Sequence, residues 1–163
     1  MPNTPLSGLP YPTLTSPNNP PADLQSLATT LDPLVTPQIQ TYTPVWSQSG
    51  QTLAIGNGTL SGQYVKSGRI VQFSIYMLRG STTNIGTSGY FWTLPVAAAA
   101  NVSSVGNGLC SVGGAFKGIT TLRLANSTTL AALRYNDAQL ANDTFSWAAG
   151  DWINLTGSYI SAS

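Results

Sequence analysis

From about residue 41 the chain has a β pattern, in which hydrophobic and polar residues alternate, and this pattern predicts β-strands. In segment 69–79, RIVQFSIYMLR, the apolar positions of one parity are Val71, Phe73, Ile75 and Met77. The intervening positions are Gln72, Ser74 and Tyr76. Because successive side chains of a strand point to opposite faces, this segment predicts a strand with one buried face. We therefore expect Phe73 to lie in a hydrophobic core.

Further strands are predicted at 59–66, 89–94, 109–117, 119–124, 128–135 and 152–160. Turn-forming residues separate them, namely Gly56-Asn57-Gly58, Ser67-Gly68, Gly86, Asn107-Gly108, Lys117-Gly118, Asn126-Ser127, Asn136-Asp137 and Gly150-Asp151. About seven short strands at regular spacing are typical of an antiparallel sandwich. The predicted fold is thus mainly β, an antiparallel β-sandwich (jelly-roll-like) over residues 45–163, preceded by a Pro-rich extended arm and one short helix.

The helical pattern lies at residues 20–35, which we predict to form a short amphipathic helix. Asn19 is a suitable N-cap, Pro20 suits the first helical position, and Pro33 is expected to end the regular helix near Asp32. One apolar stripe with helical spacing consists of Leu24, Leu27, Ala28 and Leu31. Its leucines are candidate assembly residues. The stripe has two open interpretations, packing on the β-domain or a neighbouring protein, and bundling with the same helix of sister subunits.

Prolines concentrate at the start of the chain, where ten of the eleven lie within residues 1–44. Because proline fixes φ and removes a hydrogen-bond donor, residues 1–19 are predicted to be extended. A mere spacer would be rich in Ser and Gly, whereas this segment carries the apolar residues Leu6, Leu9, Tyr11 and Leu14. It is therefore interpreted as a docking arm. Residues 36–44 are predicted to be a linker.

Composition then excludes several classes of function. Only 7% of the residues are charged, with six Lys and Arg, no His and a single Cys. Nucleic-acid binding needs clustered cations, a zinc site needs Cys and His, and an internal disulfide needs a second Cys. Without His or Glu as a base, an enzyme is not expected, and no cofactor is expected. No secretory signal or membrane-spanning segment is visible, so we expect no membrane association.

Four smaller features each have a structural and a functional interpretation. Cys110 is expected to be a buried small hydrophobe, and Asp151 is expected to hold a turn. Asp137 and Asp143 lie in a polar loop that fits turn chemistry better than a calcium site. The aromatic residues Tyr90, Trp92, Trp147 and Trp152, together with Phe91 and Tyr159, are either core and interface packing or a glycan-stacking platform.

Several segments together resemble one family. The start, Gly8-Leu9-Pro10-Tyr11-Pro12 followed by Pro21-Ala22-Asp23-Leu24-Gln25, resembles the N-terminus of small virion-surface proteins of tailed phages that infect Actinobacteria. A β-domain of their minor tail and capsid-decoration proteins is similar to segments 42–46, 55–64, 80–83 and 94–96 and to the closing Trp147, Gly150-Asp151 and Gly157-Ser158-Tyr159. The order of these short motifs is more specific than any one of them.

The resemblance implies a non-enzymatic structural protein on the exterior of a tailed phage virion. The arm and helix would anchor it to major capsid or tail proteins, and the β-domain would project. A homo-oligomer is expected, with a trimer favoured. The alternative is the receptor- or glycan-binding head of a tail fibre, which would contact a host surface glycan. Capsid and tail locations both stay open at this point.

Overall fold

Secondary structure is mainly β in the computed structural model, which describes residues 20–35, 37–49, 51–99, 104–133, 140 and 147–163. The one helix described, α1, spans Pro20–Val35. The strands are β1 (Gln40–Tyr42), β2 (Trp46–Gln48), β3 (Gln51–Thr52), β4 (Thr59–Ser67), β5 (Ile70–Leu78), β6 (Tyr90–Thr93), β7 (Ser104–Val112), β8 (Ala115–Leu124), β9 (Thr129–Leu133) and β10 (Trp152–Ile160). The helix belongs to a first unit, Met1–Gln38, and the strands belong to a second, Ile39–Ser163.

Helix α1 matches the predicted span, but it does not end near Asp32. It continues through Pro33 to Val35. A proline in the last turn removes one backbone hydrogen bond, and few helical residues follow to be disturbed. The hydroxyls of Thr29 and Thr30 donate to the carbonyls one turn earlier, at 2.8 Å in both cases. Across the described residues, no helix has both the length and the apolar character needed to span a membrane.

The described strands form one antiparallel sheet in the order β1-β4-β5-β10-β7-β8-β9-β6-β2-β3. Strand β10 lies inside this sheet and pairs along its whole length with β5, from Trp152 opposite Leu78 to Ile160 opposite Ile70. On its other side it pairs with β7. The C-terminal strand therefore joins segments that are far apart in the chain, and this confirms the predicted mainly β, antiparallel fold.

The sheet curls until its two ends meet. Strands β1 and β2 lie near opposite ends of the strand order, yet only residues 43–45 connect them. A connection of three residues reaches at most about 14 Å, so both ends must lie close together. The Tyr42 hydroxyl donates to the Thr93 carbonyl at 3.4 Å, and the Val45 N–H donates to Thr93 Oγ1 at 2.8 Å. The layers of the predicted sandwich are thus parts of one curled sheet.

The core lies inside this curl and draws on nearly every strand. Strand β5 contributes the four residues of its predicted apolar face, which are all buried, while Gln72 and Tyr76 on the other face are exposed. The largest buried side chains of the unit are Trp46, Trp92, Tyr90, Ile75, Met77, Leu122, Leu130, Leu140, Ile153, Leu155 and Val71. The period-two prediction for this strand, including the buried position of Phe73, is confirmed.

The prediction of a single strand at 109–117 is wrong. A tight turn at Gly113 and Gly114, both with positive φ, divides this segment between β7 and β8. The predicted turns at Asn107-Gly108 and Lys117-Gly118 lie within those strands instead. Shifts in the pairing register between Ser104 and Gly108 show that the first of these glycine-rich segments forms an irregularity in the ladder. Glycine marks both turns and bulges, which is why sequence pattern misplaced the hairpin.

The predicted linker 36–44 also needs correction, because residues 40–42 form β1 and pair with β4. The β unit therefore begins at Ile39 rather than at residue 45. A Cβ at Gly62 of β4 would collide with the ring of Tyr42, so glycine is required where this ring crosses the sheet. The predicted arm at 1–19, the turn at Asn136-Asp137 and the loop residue Asp143 lie outside the described residues.

Candidate functional site

The outer face of the curled sheet carries an unusual row of side chains at one end. Antiparallel partners share a face, and the register places Leu78, Trp152, Ser111 and Phe116 side by side across β5, β10, β7 and β8. The next row on the same face contains Tyr76, Asn154 and Leu109. Three separate parts of the chain, β5, the β7–β8 hairpin and β10, therefore bring three aromatic rings together.

The three rings form a continuous surface. The ring centroids of Tyr76 and Trp152 are 6.4 Å apart, and their planes differ by 32°. Phe116 stands edge-on to Trp152 at 5.9 Å and 63°. Phe116 is 70% exposed, Leu109 and Tyr76 are also exposed, and Trp152 is partly exposed. We call Tyr76, Leu109, Phe116 and Trp152 the aromatic patch. Such a patch is a mark of an interaction site.

A polar depression continues from the aromatic patch along the same face. Its outward-facing residues are Gln72, Asn107, Thr156 and Ser158, and its volume is about 390 Å³. Thr156 lies one row from Asn154, a distance of about 7 Å along the strand. We call this group of four residues the polar depression. Amide and hydroxyl groups therefore lie directly beside the aromatic rings on this face.

Two glycines that also line the depression allow β7 and β10 to lie close together. Gly106 and Gly157 are paired across these strands. A Cβ at Gly157 would meet the Val105 carbonyl oxygen, and a Cβ at Gly106 would meet that of Thr156. Any larger residue would push the strands apart, so glycine is required at both positions.

The charged residues next to the aromatic patch in sequence do not take part in it. Asp151 is buried, and its carboxylate accepts hydrogen bonds from the N–H groups of Gly113 at 2.9 Å and Ala148 at 2.6 Å. In the pairing of β7 with β8, Lys117 lies opposite the buried Cys110, and therefore on the other face of the sheet from Phe116. The Nε and Nη1 atoms of Arg79 are buried. None of the side chains that form the patch and the depression is charged, although the exposed Lys117 and Arg123 lie on the same strand as Phe116.

Three of the four aromatic residues singled out from the sequence lie in the core. Tyr90, Trp92 and Trp147 are at most 6% exposed. The ring of Tyr90 packs against Trp46 at 5.2 Å and against the other two at 6.0 Å. These buried rings cannot form a glycan-stacking platform, and of these four residues only Trp152 reaches the outer surface. Tyr159 is buried as well, whereas Phe91 is partly exposed.

The assembly candidates fall in the first unit. On α1, Leu24 is 66% exposed, whereas Leu27 and Leu31 are partly buried. Leu6, Leu9, Tyr11 and Leu14 lie outside the described residues. The helix thus displays part of the apolar stripe that its sequence predicts.

Two predictions about single residues are confirmed. Cys110 is fully buried, with its Sγ 3.2 Å from the Lys117 carbonyl oxygen, as expected for a small core residue. Asp151 holds the turn before β10 and also reaches the β7–β8 turn. Within the described ranges, no three His, Cys, Asp or Glu side chains are grouped so that they could hold a metal ion.

Sequence reasoning missed Tyr76, Leu109 and Phe116 as surface residues. A signal existed for Tyr76, because alternation already placed this ring on the polar face of its strand. The signal for Phe116 was hidden, since reading 109–117 as one strand concealed the Gly113-Gly114 hairpin that turns this ring outward.

Comparisons of the chain with protein-family models, curated proteins and solved structures give no match.

Proposed function

We propose that this chain is a non-enzymatic structural subunit on the exterior of a tailed phage virion. The N-terminal arm and α1 anchor it to major capsid or tail proteins, and the β unit projects from the particle. The observation that carries the proposal is the contrast between the two units. One displays an apolar helix stripe, and the other has a sparsely charged, hydroxyl-rich outer surface around a large core.

The helix supports an anchoring role. Leu24 leaves most of its side chain in water, and burying a leucine against a partner stabilises an assembly by about 1.5–3 kcal/mol. A short amphipathic helix inserted into a groove is a recurring mode of recognition between proteins. The proline-rich segment before it adds three leucines and a tyrosine within the first 14 positions, which extends the proposed anchor along the chain.

The β unit supports the projecting role. Outer positions of β4, β5 and β10 are mostly hydroxyl and amide residues, including Thr59, Ser61, Gln63, Ser74 and Thr156. Hydroxyls and amides keep a surface hydrated without the charges that repel like copies packed side by side on a particle. Several copies in a homo-oligomer, with a trimer favoured, fit this surface.

Immunogold electron microscopy tests the proposal. An antibody against residues 39–163 is applied to intact tailed particles purified from cultures that produce the chain. We expect label on the outside of the particles, over the head for a capsid-decoration subunit or along the tail for a minor tail subunit. Particles produced without the chain serve as the control. Absence of label from particles of a producing culture contradicts the proposal.

A further inference from the structure

We propose that the aromatic patch and the polar depression together form a binding site for a neutral glycan chain. The inference goes beyond an anchoring role in a virion and does not rest on it, because it concerns only the outer face of the β unit. It also differs from the sequence-based platform, of which only Trp152 is retained.

The ring geometry supports stacking against sugars. Pyranose rings expose C–H groups on their faces, and aromatic side chains offer flat, apolar surfaces of matching size. The centroids of Tyr76 and Trp152 lie 6.4 Å apart and their planes differ by 32°, so the two rings offer neighbouring surfaces for successive sugar units. Phe116 rises at 63° to Trp152 and bounds the platform on one side. Tyr76 and Trp152 therefore form the base of the patch, and Phe116 forms one side of it.

The polar depression supports recognition of sugar hydroxyls. Gln72 and Asn107 each provide an amide with donors and an acceptor, and Thr156 and Ser158 provide hydroxyls. These groups lie on the same face as the rings and follow them along β10. From Trp152 to Ser158 the strand rises by about 20 Å. A glycan of several sugar units can lie along this line, stacked at one end and hydrogen-bonded at the other.

The absence of charged side chains among the residues of the patch and the depression favours a neutral ligand. Three charged residues are sequence neighbours of members of the row that contains Trp152, namely Asp151, Lys117 and Arg79. The Asp151 carboxylate bonds to backbone N–H groups, Lys117 pairs on the opposite face, and two guanidinium nitrogens of Arg79 are buried. The residues that form the patch and the depression include no cation that could neutralise a sulfated or uronic-acid polymer, whereas their amides and hydroxyls can bind uncharged sugar hydroxyls. The exposed cations Lys117 and Arg123 lie outside this lining.

The size of the patch argues against a second copy of the chain as the occupant. A stable protein interface buries about 800 Å² on each partner. Four side chains, of which only Phe116 is more than half exposed, offer much less apolar surface than this. A stacked glycan needs only the rings and a few hydrogen bonds.

The test measures binding of the full-length protein to an array of neutral hexasaccharides built from glucose, galactose or mannose, with sulfated and sialylated oligosaccharides alongside. The best neutral ligand is then titrated by calorimetry. We expect Trp152→Ala and Phe116→Ala each to weaken binding about tenfold or more, as loss of a buried aromatic contact does at hot spots. Phe116→Tyr should retain binding because it keeps the ring.

Ile160→Ala is the matched control, because Ile160 is exposed on the same face of β10 but lies eight residues from Trp152. Its affinity should equal that of the parent protein. Phe116 is so exposed that its replacement leaves folding intact, which thermal unfolding checks. Binding to no neutral glycan, binding to charged glycans alone, or equal losses in Ile160→Ala and Phe116→Ala would each overturn the proposal. Self-association abolished by Phe116→Ala in the absence of glycan binding would overturn it as well.

Discussion

Asp151 shows how one side chain can hold two turns together. Its carboxylate accepts hydrogen bonds from Gly113 in the β7–β8 turn and from Ala148 in the turn before β10. Its own carbonyl accepts the Arg79 N–H at 2.8 Å. The residue therefore connects the ends of β5, β7 and β10 at the edge of the aromatic patch.

Replacing Asp151 with Ala should lower the free energy of unfolding by about 2 kcal/mol, since hydrogen bonds to a charged group contribute about 1.5–3 kcal/mol each and the exposed donors regain water. Chemical denaturation measures the change, and hydrogen exchange at Gly113 and Ala148 should accelerate. Asp151→Asn retains one acceptor oxygen and should lose less. Unchanged exchange at both amides in the Ala variant would show that the carboxylate does not hold these turns.

Phe73 tests the assignment of the two sheet faces. It is buried, and its ring lies 5.9 Å from that of Tyr159 and close to Gly157. Phe73→Ala should lower the unfolding free energy by about 3–5 kcal/mol because the change leaves a cavity. The neighbouring Gln72→Ala, on the outer face, should change it by less than about 0.5 kcal/mol. Similar denaturation midpoints for the two variants would contradict the assignment.

Tyr159 should make the stability of the fold decrease at alkaline pH. Burial, aided by Tyr64 and opposed by the Val96 N–H, raises the pKa of Tyr159 from 10.0 to about 12. Burial also holds the pKa of Tyr42 above its usual range. A raised folded-state pKa means that stability is complete below the unfolded pKa and falls as pH rises towards the folded value.

The denaturation midpoint should therefore be constant from pH 7 to 10 and decrease between pH 10 and about 12. Tyr159→Phe should be less stable at neutral pH, because the hydroxyl donates to the Val96 carbonyl at 2.6 Å. The slope of its stability between pH 10 and 12 should nevertheless be smaller. A slope equal to that of the parent protein would exclude Tyr159 as its source.

At the scale of elements, α1 and the β7–β8 hairpin carry the two proposed interactions. The helix exposes Leu24, and the hairpin turns Phe116 outward after the positive-φ pair Gly113 and Gly114. Each element was visible in the sequence only in part. Helical spacing revealed the apolar stripe of α1, but glycine-rich segments concealed the boundaries of β7 and β8.

Leu24→Asp should reduce incorporation of the protein into particles at least several-fold, because it places a charge in the proposed anchoring stripe. Immunoblots of purified particles, normalised to the major capsid protein, provide the measurement. Gln25→Asp introduces the same charge at the adjacent exposed position of α1 and should be incorporated normally. Equal incorporation of the two variants would show that Leu24 is not part of the anchor.

At the scale of the whole molecule, the division into Met1–Gln38 and Ile39–Ser163 predicts that anchoring and folding are separable. Deleting residues 1–19 should release the protein from particles while the β unit keeps its thermal unfolding transition. A variant with serine at Leu6, Leu9, Tyr11 and Leu14 keeps the length of the arm and should also be released. Retention of both variants on particles would show that the arm is not the anchor.

Sequence alone determined the properties that depend on local periodicity. Alternation identified β5 and its buried face, leucine spacing identified α1, and turn residues delimited β10. Burial of Cys110 and the turn held by Asp151 also followed from residue chemistry and neighbours in the chain. These features depend on residues within a few positions of each other, where backbone geometry converts spacing directly into a face or a turn.

Only the tertiary structure decided which rings are core and which are surface. Tyr90, Trp92 and Trp152 all lie in or beside apolar runs, yet the curl of the sheet buries the first two and leaves Trp152 on the outside. The aromatic patch exists because β5, β10 and the β7–β8 hairpin are neighbours in the sheet, although residue 76, the hairpin with residues 109 and 116, and residue 152 are widely spaced in the chain. Strand order and register arise from long-range pairing, which local periodicity does not encode.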